Sequence, residues 1–186
     1  MLSSKIKNIN FANPILVASG TYGYGNEVND LVDVSLLGGL ITKSVTLLPR
    51  EGNPPPRITE TSSGMLNSIG LANPGVKNFC TNKIPYLNKL GTHVIVNIAG
   101  SQMDDYIKTL EVIESFGGNH IGYEINISCP NVKEGGMEFG VSPSITEQLT
   151  YKMRKLTDKL LILKLSPNVT NIIDIGLAAE QGGADA

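Results

Sequence analysis

The chain has 186 residues, the size of one ordinary domain or of part of a larger one. Hydrophobic residues make up 41% and charged residues 17%, a globular balance that excludes intrinsic disorder. Fifteen Lys and Arg against seventeen Asp and Glu give a net charge of -2, with no basic surplus for a nucleic-acid backbone.

No apolar run approaches the ~20 residues of a membrane span, and residues 1–5 lack the apolar stretch of a signal peptide. Two cysteines make no disulfide framework, so a cytoplasmic location is expected. Two cysteines are also too few for an iron–sulfur cluster, which usually takes four. No metal site is expected.

The elements follow in order. Residues 15–18 form a short apolar strand closed by Ser19-Gly20. Residues 26–37 carry Val28, Leu31, Val32 and Leu36 at roughly helical spacing, with Gly38-Gly39 as a stop. A strand over 40–43 leads into a long Pro-, Gly-, Ser- and Thr-rich loop over 44–75, a length that usually serves function. A helix over 76–90 should break near Pro85. A strand over 93–98, a helix over 104–116 and a strand over 121–127 come next, then a Gly-rich loop over 128–140. A helix over 146–156, a strand over 160–165 and a helix over 171–180 complete the series.

Five strands alternating with helices predict a parallel α/β sheet, either doubly wound or a (β/α)8 barrel. No G-x-G-x-x-G follows the first strand, which lowers the weight of the dinucleotide-binding fold. The chain stops at Ala184-Asp185-Ala186, where a sixth strand is expected to start. Five strands do not close a barrel. Residues 1–186 are therefore expected to be the N-terminal portion of a single barrel domain, with about five of eight strands and the C-terminal ones absent.

In such a barrel, function resides at the C-terminal strand ends. Those ends carry Ser19, Lys43, Asn97, Asn126 and Lys164, each polar and each closing an apolar strand. Glu124, Asn126 and Ser128 share one face of their strand by period-two alternation. One strand-end Asn is ordinarily a turn former and one Lys ordinarily reaches water; five such residues together point to a shared site. Two lysines on one pocket repel and lose solvation, which an anionic or electron-rich ligand offsets. The alternative is a lysine of lowered pKa acting as a Schiff-base nucleophile, as in an aldolase-type barrel.

Cys129 lies in a polar loop before Pro130 and is a candidate base, although buried cysteines are usually inert. Cys80 reads as core, and His93 and His120 lead into strands away from the site. Gly64-Met65-Leu66-Asn67-Ser68-Ile69-Gly70-Leu71 brackets Asn67 with glycines, which lets backbone N–H groups approach a small carboxylate or simply makes a turn.

The segment Asn126-Ile127-Ser128-Cys129-Pro130-Asn131-Val132-Lys133, followed by Gly135-Gly136 and Phe139-Gly140, resembles the catalytic loop of class 1 dihydroorotate dehydrogenases. So do Ala18-Ser19-Gly20, Gly52-Asn53-Pro54 with Pro56-Arg57, the segment 64–71, Asn97-Ile98-Ala99-Gly100-Ser101 and Lys164-Leu165-Ser166-Pro167-Asn168. The glycine-bearing loop is most similar to the NAD-linked class 1B. The resemblance implies an FMN-binding (β/α)8 barrel that oxidises dihydroorotate to orotate in pyrimidine (UMP) biosynthesis. It implies that Cys129 removes the C5 proton while the C6 hydride passes to FMN. Lys43, Asn67, Ser68, Ile69, Gly70, Leu71 and Asn126 would bind substrate, and Ser19, Lys43, Ser44, Asn97, Asn126 and Lys164 would bind FMN. It further implies a partner subunit bearing an iron–sulfur cluster and FAD that passes electrons to NAD, and a homodimer within a heterotetramer. The three remaining strands should carry the flavin phosphate site, so these residues alone are expected neither to hold FMN tightly nor to turn over. The alternatives are a fumarate-linked class 1A enzyme and a non-catalytic truncated remnant.

Overall fold

The computed structural model describes residues 2–28, 30–128, 133–134 and 137–186. The chain opens with an antiparallel hairpin of β1 (Ser4–Ile6) and β2 (Ile9–Phe11), which the sequence reading missed because each arm is only three residues long. β3 (Leu16–Val17) and β4 (Gly39–Ile41) follow as parallel neighbours.

The helix predicted over 26–37 does not form. Two 3₁₀ turns, Asn26–Val28 and Val34–Leu36, stand there instead. The Asp33 side chain accepts the Ser35 N–H and starts a new turn. The β-branched Val28, Val32 and Val34, interleaved with Asn and Asp, are poor helix interior. The predicted glycine stop has another role. Gly39 begins β4, and a Cβ on Gly38 would lie 2.0 Å from the Asn13 carbonyl oxygen, so glycine permits a close backbone crossing.

The long loop contains a second antiparallel hairpin, β5 (Ile58–Thr61) with β6 (Gly64–Asn67). It is exposed on both faces, so no apolar alternation marked it. Next comes one helical rod in three parts: α1 (Gly75–Asn78), a π turn (Phe79–Lys83) and α2 (Ile84–Leu87). The irregularity expected near Pro85 is this π turn, in which the Ile84 N–H reaches back to the Phe79 carbonyl.

β7 (His93–Ile98), α3 (Met103–Phe116) and β8 (Gly122–Asn126) match the expected elements. A third small hairpin, β9 (Lys133–Glu134) with β10 (Met137–Glu138), lies within the predicted Gly-rich loop. α4 (Pro143–Arg154) starts three residues before its predicted start, with Pro143 in its first turn, where the missing N–H is no loss. β11 (Leu160–Lys164) and α5 (Ile172–Gln181) close the series.

The main sheet runs β3-β4-β7-β8-β11, entirely parallel and in chain order. A doubly wound sheet reverses its strand order at a switch point; this one does not. Each crossover therefore advances the same way and all helices cover one face, which is the winding of an α/β barrel. Asp185 N–H donates to the Leu161 carbonyl and Leu163 N–H to the Ala186 carbonyl, so residues 185–186 run along β11.

Side-chain parity divides the interior in two. Leu40, Val94, Val96, Ile98, Tyr123, Ile125, Leu161 and Leu163 face the helices and build the larger core. The opposite face starts with Ile41, Ile95 and Leu160 packed on Phe11, so the N-terminal hairpin plugs the lower end of the barrel half. Each fully buried Ile or Leu contributes ~1.5–3 kcal/mol to holding these layers together.

Candidate functional site

Above that apolar layer the inner face turns polar. Asn97 pairs directly with Glu124, and Asn126 pairs directly with Lys164. Glu124 and Asn126 are two residues apart on β8, so all four side chains share the inner face at the C-terminal end of the sheet.

Lys43 joins them through a local irregularity. Ile41 pairs with Ile95, and a bridge forms again between Val45 and Ile98. Four steps along one strand therefore oppose three along the other, which is a bulge carrying Thr42, Lys43 and Ser44. Thr42 Oγ1 repairs the ladder by accepting the Asn97 N–H at 3.1 Å, and the Val45 N–H donates to the Asn97 carbonyl at 2.9 Å. The Lys43 N–H donates to the Gly23 carbonyl at 2.8 Å, which ties the bulge to the segment after β3. Lys43 is half-buried and Ser44 buried. Ser19 is half-buried in the turn after β3, at the same end of the sheet.

The two asparagines are oriented oppositely. The Asn97 Nδ2 donates to Glu124 Oε1 at 2.5 Å. Its Oδ1 is buried and, among the described residues, has no partner. Asn126 Oδ1 accepts from both the N–H and the hydroxyl of Ser128, at 3.2 and 2.6 Å, which leaves its NH₂ as the group on offer. The Tyr106 hydroxyl donates to the Asn126 carbonyl at 3.0 Å and fixes the strand end. The strand ends thus present one amide acceptor, one amide donor and the cationic Lys164, with Lys43 in the adjoining bulge. A planar heterocycle carrying an N–H, carbonyl oxygens and partial negative charge complements that set.

Glu124 was placed on this face by parity but given no role from sequence. It is buried, with Lys164 Nζ 3.9 Å from Oε1. Burial pushes its carboxyl above the ordinary carboxylate range, against the opposing pull of Lys164 and Asn97. The carboxylate supplies an offset to the lysine charges that the sequence reading sought in a ligand.

The segment 67–71 forms the far side of the loop over 44–75. Asn67 and Ser68 are exposed, while Ile69, Gly70 and Leu71 are half-buried. The Ser68 N–H donates to the Arg57 carbonyl, Asn53 Nδ2 to the Ser68 carbonyl, and the Asn53 N–H to the Ile69 carbonyl. Gly70 and Leu71 both have positive φ, 72° and 57°. The buried Asn73 clamps the turn, with Nδ2 on the Leu71 carbonyl and Oδ1 on the Thr46 and Gly75 N–H groups. Arg50 Nη1 reaches Ser101 Oγ at 3.4 Å, holding the loop over the end of β7. Cys129 lies outside the described residues.

Cys80 and both histidines stand apart from this layer, as expected. Cys80 is a buried residue of the π turn itself, and burial pushes its thiol up to about 11. His93 Nε2 lies 2.9 Å from the Asn10 carbonyl at the plugged end, and His120 precedes β8.

The family model for dihydroorotate dehydrogenase matches residues 1–186. The chain belongs to the dihydroorotate dehydrogenase family. It is 48% identical over 185 residues to a Bacteroides fragilis protein named dihydroorotate dehydrogenase B (NAD(+)), catalytic subunit, covering all of this chain and 61% of that relative. It is 49% identical over 186 residues to the Phocaeicola vulgatus protein of the same name, again with 61% of the relative covered. The Bacillus pumilus protein of that name is 46% identical over 185 residues, with 59% covered. The chain thus spans about three-fifths of the curated relatives it matches. The crystal structure of DHODH in complex with ferulenol from Eimeria tenella superimposes with a TM-score of 0.81 at 21% identity. It covers all of this chain and 58% of that one, and it bears out the α/β-barrel fold.

Proposed function

We propose that the protein of which these residues form part is a dihydroorotate dehydrogenase of the NAD-linked type. It oxidises dihydroorotate to orotate in UMP biosynthesis in the cytoplasm, with residues 1–186 contributing to one FMN-binding barrel domain. The observation that carries this reading is the paired layer of Asn97 with Glu124 and Asn126 with Lys164, with Lys43 in the bulge at the same end of the sheet. The Asn97 oxygen, which has no partner among the described residues, and the Asn126 NH₂, opposite the oxygen that Ser128 engages, fit the N–H and carbonyl groups of a flavin pyrimidine ring.

FMN, when bound, supplies the acceptor for the hydride leaving C6 of dihydroorotate. Ser19, Lys43, Ser44, Asn97, Asn126 and Lys164 hold it. Lys43, Asn67, Ser68, Ile69, Gly70, Leu71 and Asn126 hold the substrate, the clamped turn at Gly70-Leu71 fixing its carboxylate. Cys129, as thiolate, takes the C5 proton; its unperturbed pKa of ~8.5 makes the rate of this step rise with pH through that range. The lysine ammoniums favour the electron-rich reduced ring. A partner subunit carrying FAD and an iron–sulfur cluster would supply the route to NAD, in a heterotetramer built on a homodimer.

Co-expression of the intact protein with that partner tests the reading. The expected result is dihydroorotate-dependent NAD⁺ reduction with stoichiometric orotate. Orotate formed with fumarate and not with NAD⁺ would assign the protein to the fumarate-linked class. A borohydride-trapped lysine adduct without flavin would replace the reading with aldolase chemistry.

A further inference from the structure

One carboxylate sits inside the cationic strand-end layer with no place in the contact set above. Glu124 is 8% exposed, in the middle of the inner face, between Asn97 on β7 and Lys164 on β11. An ionised carboxylate only accepts hydrogen bonds, so the Asn97 amide must turn its NH₂ toward Oε1, 2.5 Å away. Flipping the amide would set oxygen against oxygen. The Asn97 backbone is fixed as well, by Thr42 Oγ1 on its N–H and Val45 on its carbonyl. The consequence is the buried Oδ1 that no described residue satisfies.

We propose that Glu124 is a positioning residue that locks Asn97 as a hydrogen-bond acceptor and anchors the Lys164 ammonium, so that the site requires an N–H donor on its bound ring. This rests on the flavin reading: among the ring nitrogens of an oxidised isoalloxazine only the imide nitrogen carries a hydrogen, so it is the ring's one N–H donor. Glu124 also sets the charge of the layer. With Lys43 and Lys164 it leaves one net positive charge; without it there are two.

Two substitutions in the intact holoprotein separate these roles. Glu124→Gln keeps an acceptor oxygen for Asn97 and removes the charge. Glu124→Leu removes both. FMN affinity is measured by quenching of free-flavin fluorescence, and the two-electron potential by dye equilibration at pH 8. Glu124→Leu is expected to weaken oxidised FMN on the order of tenfold, the loss of one oriented hydrogen bond. Glu124→Gln is expected to keep most of that affinity while favouring reduced over oxidised flavin by roughly tenfold, about +30 mV for a two-electron couple. If Glu124→Leu does not fold, the potential of Glu124→Gln decides. A potential unchanged in Glu124→Gln, or wild-type FMN affinity in folded Glu124→Leu, overturns the inference alone. Wild-type protein that binds no FMN overturns the flavin reading and this inference with it.

Discussion

Tyr123 and Glu124 are consecutive on β8 and face opposite sides of the sheet, so they should fail in opposite ways. The Tyr123 side chain is fully buried against the helices. Its hydroxyl donates to Glu114 Oε1 at 2.8 Å. That spends its only hydrogen, so the contact of 2.7 Å to His120 Nε2 has the histidine as donor. Glu114 also accepts from Thr157 Oγ1 at 2.6 Å and from Lys159 Nζ at 3.0 Å. Tyr123→Phe keeps the ring and its packing. It removes one hydrogen bond to a charged group, worth ~1.5–3 kcal/mol, and strands a buried His120 N–H at ~1–3 kcal/mol. Partial relaxation of His120 brings the expected loss to about 2–4 kcal/mol, or roughly 5–15 °C in Tm. Urea and thermal unfolding give the number, and flavin titration of the same samples gives the control. Flavin affinity and potential are expected to match wild type, because Tyr123 lies on the helix-facing side of β8, away from the strand-end layer, and residues away from the C-terminal mouth of such a barrel serve stability. A loss under ~0.5 kcal/mol would refute the hydrogen-bond accounting, and a shifted flavin potential would refute the separation of faces.

Other substitutions test other parts of the structure. Burial holds His120 down to about 4 from 6.5, with Lys159 adding to the effect and Glu114 opposing it. The unfolded chain therefore takes up its proton first as pH falls, so stability is full above about pH 6.5 and lost progressively toward pH 4, by about 3 kcal/mol. His120→Gln should flatten that part of the stability–pH curve, read by urea unfolding at a series of pH values. A Cβ on Gly122 would lie 2.4 Å from the Leu160 carbonyl oxygen, a backbone atom that cannot swing aside. Gly122→Ala should cost ~1–3 kcal/mol by overpacking, and a neutral result in thermal melts would contradict the strand spacing there. Cys129→Ser should slow flavin reduction by dihydroorotate in single turnovers at least a hundredfold while FMN stays bound, and unchanged reduction would remove the thiol from the chemistry.

The sequence made the sheet legible because each of its strands is a short apolar run ended by a polar residue, and period-two parity correctly grouped Glu124 with Asn126. It misled over 26–37, where helical spacing coincided with β-branched and Asx residues that prefer turns. The hairpins β1–β2 and β5–β6 left little trace, one being too short and the other exposed on both sides. The bulge at Thr42-Lys43-Ser44 depends on the register between strands some fifty residues apart, which no local pattern encodes. For the same reason Glu124 could be put on the right face without its bond to Asn97 being foreseen.

The most direct test is a crystal structure of the intact protein with FMN and orotate bound. The expected result has Lys43, Asn97, Asn126 and Lys164 within hydrogen-bonding distance of the flavin at the strand tips, with the Asn97 oxygen accepting from the ring imide and Cys129 against the opposite side of orotate. A flavin bound anywhere else, or one whose ring touches none of these four side chains, would contradict the assignment of this polar layer.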